Sequence, residues 1–343
     1  MFDATPLLEK LIKQSALSQT EAYTLFNSIM HGEQSEAVIA AVLTALKIKH
    51  ESPGEIAGAA SAMVANAKPF PAPTYPFADI VGTGGDGHNT INISSAAGVV
   101  AAACGVKVAK HGNRSVSSKS GSADLFKQFG LNLEITPELS RKCLDEANFT
   151  FLFAPVYHAG MRFAAPVRAA LKTRTLFNIL GPLANPAGPT HGVFGVYSPE
   201  LLEPYAKTLM LLGQHRAMIV HGDGLDELAL HGESLIYDLE HGDIRKLTVT
   251  AEDFGLSSYP LSAIEGGEPE ENKKYIEAAL AGEGQEAHRA AIAMNCGALL
   301  KVTGTADSFK DGTEMAMQAM KDAKPLAVLN QVAKISQEVS TDA

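Results

Sequence analysis

The parts of this chain that could do chemistry are few and widely spaced. Gly82-Thr83-Gly84-Gly85-Asp86-Gly87 is nearly bare backbone, and Thr90-Ile91-Asn92-Ile93-Ser94-Ser95 follows it with hydroxyls and amides. Lys110-His111-Gly112-Asn113-Arg114-Ser115 sets two cations and a histidine beside a glycine, and Val116-Ser117-Ser118-Lys119-Ser120-Gly121-Ser122 adds hydroxyls and a lysine. Much later, Gly222-Asp223-Gly224-Leu225-Asp226-Glu227 brings two adjacent carboxylates out of a tight turn. Glycines let amides approach phosphate or sugar oxygens with no Cβ in the way. A helix that starts behind such a turn offers its free amides to an anion. Two anion-ready segments, with Asp226 and Glu227 able to reach magnesium bridged by pyrophosphate oxygens, predict a polyphosphate ligand.

These segments need elements to position them. The residues at 78–81, 94–104 and 106–109 read as strand, helix and strand, the alternation of an α/β unit with a parallel sheet. The Lys110–Ser115 run then falls at the carboxyl end of a strand, where ligands bind in open α/β sheets. A second helix is expected to open from 116 and end near Gly130. Further strands are expected at 149–153, 192–196, 217–221 and 246–249, with a helix at 199–212 and a helical tail at 272–335. Ahead of all this stand four helices. Ser18 with Glu21, and Ser52-Pro53 with Glu55, are capping boxes, and Ser35 opens the helix between them. Their small, alanine-rich faces suit packing on another domain or subunit, or a self-contained bundle. The prolines between Lys68 and Pro76 mark the linker that follows.

The literal G-x-G-x-x-G at Gly82–Gly87 does not predict a dinucleotide site. Such a site wants a carboxylate about 20 residues on, and 102–107 has none. No G-x-x-x-x-G-K-[ST] loop exists elsewhere. A net charge of −10 argues against nucleic acid as the main partner. The three cysteines are far apart in sequence and suggest neither zinc nor a disulfide framework. The N-terminus carries no signal-peptide pattern, and the apolar run at 93–108 is too short to span a membrane, so a cytoplasmic protein is expected. No Ser/His/Asp arrangement or histidine cluster stands out. Arg168, after Pro166, could pair with a carboxylate through its planar fork, and 177–186 reads as a loop connecting domains.

Taken together, Gly82–Asp86, Asn92–Ser95, Lys110–Ser115, Arg168, Asn178–Pro186 and Asp226-Glu227 resemble the anthranilate phosphoribosyltransferases over essentially the whole chain. The resemblance implies an α/β domain of mainly parallel sheet with a small all-α N-terminal domain. The helical domain would span 1–70 joined by part of 166–188, and the α/β domain 77–165 and 189–343. It implies a homodimer formed through the helices, and Mg²⁺-dependent transfer of phosphoribosyl from 5-phosphoribosyl 1-pyrophosphate to anthranilate. Carried over, Gly82, Gly85, Asp86, Thr90, Asn92, Ile93, Ser94, Ser95, Lys110, His111, Gly112, Asn113, Arg114, Ser115, Val116, Ser117, Ser118 and Ser122 would hold the sugar donor. Ser94, Asp226 and Glu227 would bind magnesium. Asn113, Arg168 and the Gly82 backbone would contact anthranilate, and no residue is expected to act as catalytic acid or base. A pyrimidine nucleoside phosphorylase-like enzyme and a non-catalytic nucleic-acid-binding relative are the alternatives. The carboxylate pair speaks against the first and the missing basic face against the second.

Overall fold

The structure, a computed structural model, describes residues 2–114 and 119–338. The expected donor-site residues Ser115, Val116, Ser117 and Ser118 lie outside them. Helices α1 (Thr5–Ile12), α2 (Gln19–Met30), α3 (Glu36–Lys49) and α4 (Pro53–Ala65) come first. The expected capping boxes are formed. Ser18 Oγ accepts the Glu21 amide at 3.2 Å and Ser52 Oγ accepts the Glu55 amide at 3.3 Å, while each glutamate takes the cap amide at 2.7 Å.

Seven strands form one sheet in the order β3-β2-β1-β4-β5-β6-β7. They are β1 (Ala78–Gly82), β2 (Val108–Gly112), β3 (Phe149–Phe153), β4 (His191–Gly195), β5 (Arg216–Gly222), β6 (Ser234–Glu240) and β7 (Asp243–Val249). β1 through β5 are parallel, and β6 and β7 extend the sheet antiparallel. From β1 the chain builds outward through β2 and β3, then returns to lay β4 on the other side of β1. The sheet therefore has its topological switch point between β1 and β4, the place at the carboxyl ends of the strands where open α/β sheets bind ligands. Gly82 and Gly195 are paired across that point.

Three expectations are corrected. The second strand begins at Val108 and not at 106, because the Val106 amide is spent on the Ala101 carbonyl at 3.1 Å to close the preceding helix, α5 (Ile93–Ala103). Lys110 and His111 consequently lie inside β2 and not after it. The following helix, α6 (Ser122–Gln128), opens only at Ser122, later than expected, after the non-helical Lys119, Ser120 and Gly121, with the Gly121 amide capped by Asp124 Oδ2 at 3.0 Å. β6 and the first half of β7 were not expected at all. They are joined through His241 (φ 49°) and Gly242 (φ 90°), a two-residue hairpin turn that normally announces itself as Asn-Gly or Asp-Gly.

The sheet is covered on both faces. Met218 and Val220 of β5 enter one core, while Ala217 and Ile219 enter the other, the period-two alternation of a strand. The first core is filled by α5 and by α12 (Pro269–Leu280), α13 (Glu286–Val302), α14 (Phe309–Lys321) and α15 (Lys324–Ser336). α13 is apolar nearly all round and runs through its middle. The second core takes Phe194 and Ile219 from the sheet, Tyr205 from a helix at Leu202–Leu211, and Leu25, Phe26, Leu43 and Ile56 from α2, α3 and α4. The N-terminal helices thus share a core with one face of the sheet. A short helix at Ala165–Leu171 packs on α3, and Lys47 of α3 donates to the Thr173 hydroxyl just beyond it. Among the described residues no helix is long and apolar enough to cross a membrane.

Candidate active site

The carboxylate turn after β5 lies directly over the switch point. The Gly84 amide donates to Asp226 Oδ2 at 2.6 Å, and the Ser94 amide, in the first turn of α5, donates to Glu227 Oε1 at 2.9 Å. Adjacent residues of one turn thus reach the glycine loop and the helix start. That approach needs bare backbone beneath it: a Cβ on Gly82 would stand 2.1 Å from Asp226 Oδ2, and one on Gly195 1.6 Å from the Asp226 carbonyl oxygen.

Electrostatically the cluster is short of cations. Burial, then the neighbouring Asp86 charge, pushes the Asp226 carboxyl up to about 7. Burial and Asp226 push Glu227 well above the usual carboxylate range. Both residues keep some surface, but their carboxyl groups are densely surrounded by protein. Lys110 is the nearest ammonium. It is 1% exposed, donates to the Ile80 carbonyl, and stands 3.4 Å from Ser94 Oγ. Burial lowers its pKa, against the opposing pull of Asp79, Glu227 and Asp226.

A hard divalent cation fits this excess of oxygen charge. Magnesium is usually held by one or two carboxylates plus waters and substrate phosphates. Asp226, Glu227 and the Ser94 hydroxyl are the oxygens that could hold such an ion.

The two helix starts are tied to each other. Ser95 Oγ donates to Ser122 Oγ at 2.8 Å, and Asn92 Nδ2 donates to the Ser120 carbonyl at 2.9 Å. Asn92 Oδ1 also accepts Asn272 Nδ2 at 3.1 Å, so this side chain is occupied in joining α5, α12 and the loop before α6. Thr90 forms a bridge with Glu265, and the buried Ile93 opens α5. Gly112 ends β2 against Phe151, while Asn113 and Arg114 follow it, exposed, with Arg114 over the Phe153 ring. Gly85 and Asp86 lie in the glycine loop itself.

His111 is buried with its ring 5.2 Å from that of His158, and its Nδ1 donates to the Gly181 carbonyl at 3.1 Å. Burial first, and then His158, pushes its pKa down to about 3, so it is neutral. Arg168 lies further out, half-buried, with its guanidinium 5.6 Å above the Phe177 ring. It has no carboxylate partner among the described residues, and burial lowers its pKa.

Sequence reasoning missed several members of this constellation. Asp79, fully buried in β1, accepts Asn185 Nδ2 at 2.8 Å and the His111 amide at 3.3 Å. Asn185 also donates to the Ala109 carbonyl at 2.8 Å, latching the 181–187 loop to β2. Arg174 reaches the Gly85 carbonyl. A carboxylate inside an otherwise apolar strand (Ala78-Asp79-Ile80-Val81) was the visible signal for Asp79. Asn185 lay in a run read only as a connecting loop, and nothing local distinguished Arg174.

An α/β sheet with a carboxylate turn at its switch point and an appended helical bundle is the architecture of the family that the chain matches, the glycosyl transferases. Residues 74–326 match the glycosyl transferase family a/b domain, and residues 5–67 match that family's helical bundle domain. The anthranilate phosphoribosyltransferase of Tolumonas auensis is 55% identical over 97% of this chain and 99% of its own length, and that of Psychromonas ingrahamii is 54% identical over 98% and 99%. The crystal structure of the Thermus thermophilus enzyme superposes with a TM-score of 0.92 at 42% identity, covering 96% of this chain and 99% of that one. The Saccharomyces cerevisiae enzyme in complex with PRPP and Mg superposes with a TM-score of 0.90 at 28% identity, covering 98% and 99%. The chain belongs to the anthranilate phosphoribosyltransferase family.

Proposed function

We infer that the crevice over the β1–β4 switch point transfers the 5-phosphoribosyl group of 5-phosphoribosyl 1-pyrophosphate to the amine of anthranilate. The products are N-(5-phosphoribosyl)anthranilate and pyrophosphate, in tryptophan biosynthesis. The observation that carries the reading is the Asp226-Glu227 turn docked on the Gly84 and Ser94 amides, with the excess negative charge this creates. A phosphorolytic or nucleic-acid-binding relative gains no comparable support.

In this reading the glycine loop, the α5 start and the Lys110–Ser118 stretch with Ser122 receive the sugar pyrophosphate through amides, hydroxyls and cations. Magnesium held by Ser94, Asp226 and Glu227 supplies charge neutralisation for the leaving pyrophosphate. Arg168, lacking an internal carboxylate, takes the anthranilate carboxylate with Asn113 and the Gly82 backbone beside it. The anthranilate nitrogen is already a neutral nucleophile, so the chain needs to orient it and not to deprotonate it. Charge builds at the sugar C1′ as its bond to pyrophosphate breaks, and exclusion of water from the crevice protects that centre from hydrolysis.

The helical part (1–70 with part of 166–188) and the α/β part (77–165 and 189–343) are assigned as two domains whose closure excludes that water. A homodimer is assigned to the α1–α3 face, which leaves Ile12 58% and Ile48 66% exposed beside a groove of small side chains at Ala40, Ala41 and Ala45. The protein is assigned to the cytoplasm. The direct test is to mix it with anthranilate, 5-phosphoribosyl 1-pyrophosphate and Mg²⁺ and follow anthranilate fluorescence. Loss of signal that requires all components supports the reading, and a constant signal removes it.

A further inference from the structure

The glycine loop has almost no side chains with which to hold its own shape. Gly84 (φ +69°) and Gly85 (φ +77°) both sit in the left-handed region, and a Cβ at Gly84 would touch nothing within 4 Å. Such a loop is free to sample many conformations unless something outside it intervenes.

The Gly84 amide is held by Asp226 Oδ2 at 2.6 Å, and the stretches on either side of it are held by contacts from opposite sides. On the entry side, the Thr83 amide donates to the Gly195 carbonyl at 2.9 Å, and Thr83 Oγ1 accepts the Tyr197 amide at 3.1 Å. On the exit side, Arg174 Nη2 donates to the Gly85 carbonyl while its guanidinium lies 4.2 Å from the Tyr197 ring centroid. Tyr197 thus braces both arms, one through its backbone and one through its ring. Stacking on an aromatic face suits a planar guanidinium and leaves its edge free to donate.

The arrangement fixes one peptide plane. Within a trans peptide the carbonyl and the next amide point in opposite directions. With the Gly85 carbonyl held by Arg174, the Asp86 amide is turned the other way. Among the described residues that amide has no partner within the chain. Release of Arg174 would let the Gly85–Asp86 peptide rotate and present a carbonyl, which repels an anion, in place of a donor.

We infer that Arg174, braced by Tyr197, is a positioning residue that locks the Gly85–Asp86 peptide with its amide free to bind the sugar donor's pyrophosphate. Its kinetic consequence rests on the function proposed above, but the lock itself does not.

The test therefore has two arms. Hydrogen–deuterium exchange of the peptide covering 82–90 is compared in wild type, Arg174→Ala, Arg174→Lys and Tyr197→Leu. Arg174 is exposed, so the alanine and lysine variants keep the core intact. Arg174→Ala and Tyr197→Leu are expected to speed exchange there, with wild-type exchange at β5 and α13 and an unchanged melting temperature for Arg174→Ala. Arg174→Lys, which keeps the charge and loses the stacking plane, falls between. Wild-type exchange at 82–90 in Arg174→Ala overturns the lock, whether or not the protein proves to be the proposed transferase. In the kinetic arm, removing one charge-assisted hydrogen bond is expected to raise the sugar-donor KM about ten-fold, with the anthranilate KM unchanged and kcat within about two-fold. Faster exchange with an unchanged donor KM overturns the role in donor binding and leaves the transferase reading standing.

Discussion

Gly195 and Asp226 meet so closely that a single methyl group could not be placed between them: a Cβ on Gly195 would lie 1.6 Å from the Asp226 carbonyl oxygen. A Cβ on Gly82, its neighbour across the switch point, would collide with the Asp226 carboxylate. Two strands therefore end in glycine where the carboxylate turn must settle on the sheet. Gly195→Ala is expected to displace the turn, lower stability by about 1–3 kcal/mol and reduce kcat/KM for the sugar donor. Denaturant unfolding and steady-state kinetics check both parts, and a fully active, wild-type-stable variant would show that the contact is dispensable.

Asp226→Asn and Glu227→Gln remove two crowded carboxyl groups opposed chiefly by the single buried ammonium of Lys110, which Asp79 shares. Each is expected to raise the magnesium concentration needed for half-maximal activity by roughly ten-fold or more, about 1.4 kcal/mol of lost interaction. Magnesium titration of the rate is the measurement, and an unaltered midpoint would contradict their assignment.

Arg168 is a partly buried cation with no carboxylate partner among the described residues. Arg168→Ala is expected to raise the anthranilate KM by roughly ten- to a hundred-fold, the range for a hydrogen bond to a charged group, and to spare the sugar-donor KM. Equal rises in both would point to a structural role.

Two buried titrating groups give opposite signs of pH dependence. His111 has its pKa pushed down to about 3. In the folded state it stays neutral where the unfolded chain would take up a proton, so stability is full above about pH 6.5 and falls as acid is added. The loss is at most about 5 kcal/mol, reached only below pH 3. Asp79 has its pKa raised to about 6, chiefly by burial. Its native state binds a proton that the unfolded chain releases above about pH 3.8. This group alone gains up to about 3 kcal/mol as pH falls from 6 toward 4. Urea midpoints from pH 4 to 7 should therefore fall less steeply with acid in His111→Gln than in wild type, and more steeply in Asp79→Asn.

If the α1–α3 face joins two copies, Ile48→Glu places a charge in an apolar interface. Sedimentation equilibrium is expected to show a monomer in that variant and a dimer in wild type. A dimer in both would move the interface elsewhere.

The local chemistry of this protein was legible from sequence because it is written in short segments. The capping boxes at Ser18 and Ser52 depend on residues three positions apart, and both form. The strand–glycine–helix succession at Ala78–Ala103, the parallel strands at Phe149 and His191, and the Asp226-Glu227 pair all declare themselves within a few residues. The start of β2 was misplaced because closing α5 onto Ala101 took the Val106 amide, which strand propensity alone would have paired. β6 stayed hidden because its hairpin turns through His241 and Gly242, which lack the Asn-Gly or Asp-Gly signature of such turns.

What tertiary structure alone decided is which of these segments touch. Nothing in the order of residues says that Gly195 must be glycine because Asp226 lies on it, or that Arg174 reaches Gly85 across 89 positions. Asp79 and Asn185 are likewise joined across 106. Such pairings are set by the sheet order, which places strands distant in sequence side by side at the switch point. The side chains that meet there have no local signature, because each is chosen by a neighbour that only the folded chain supplies.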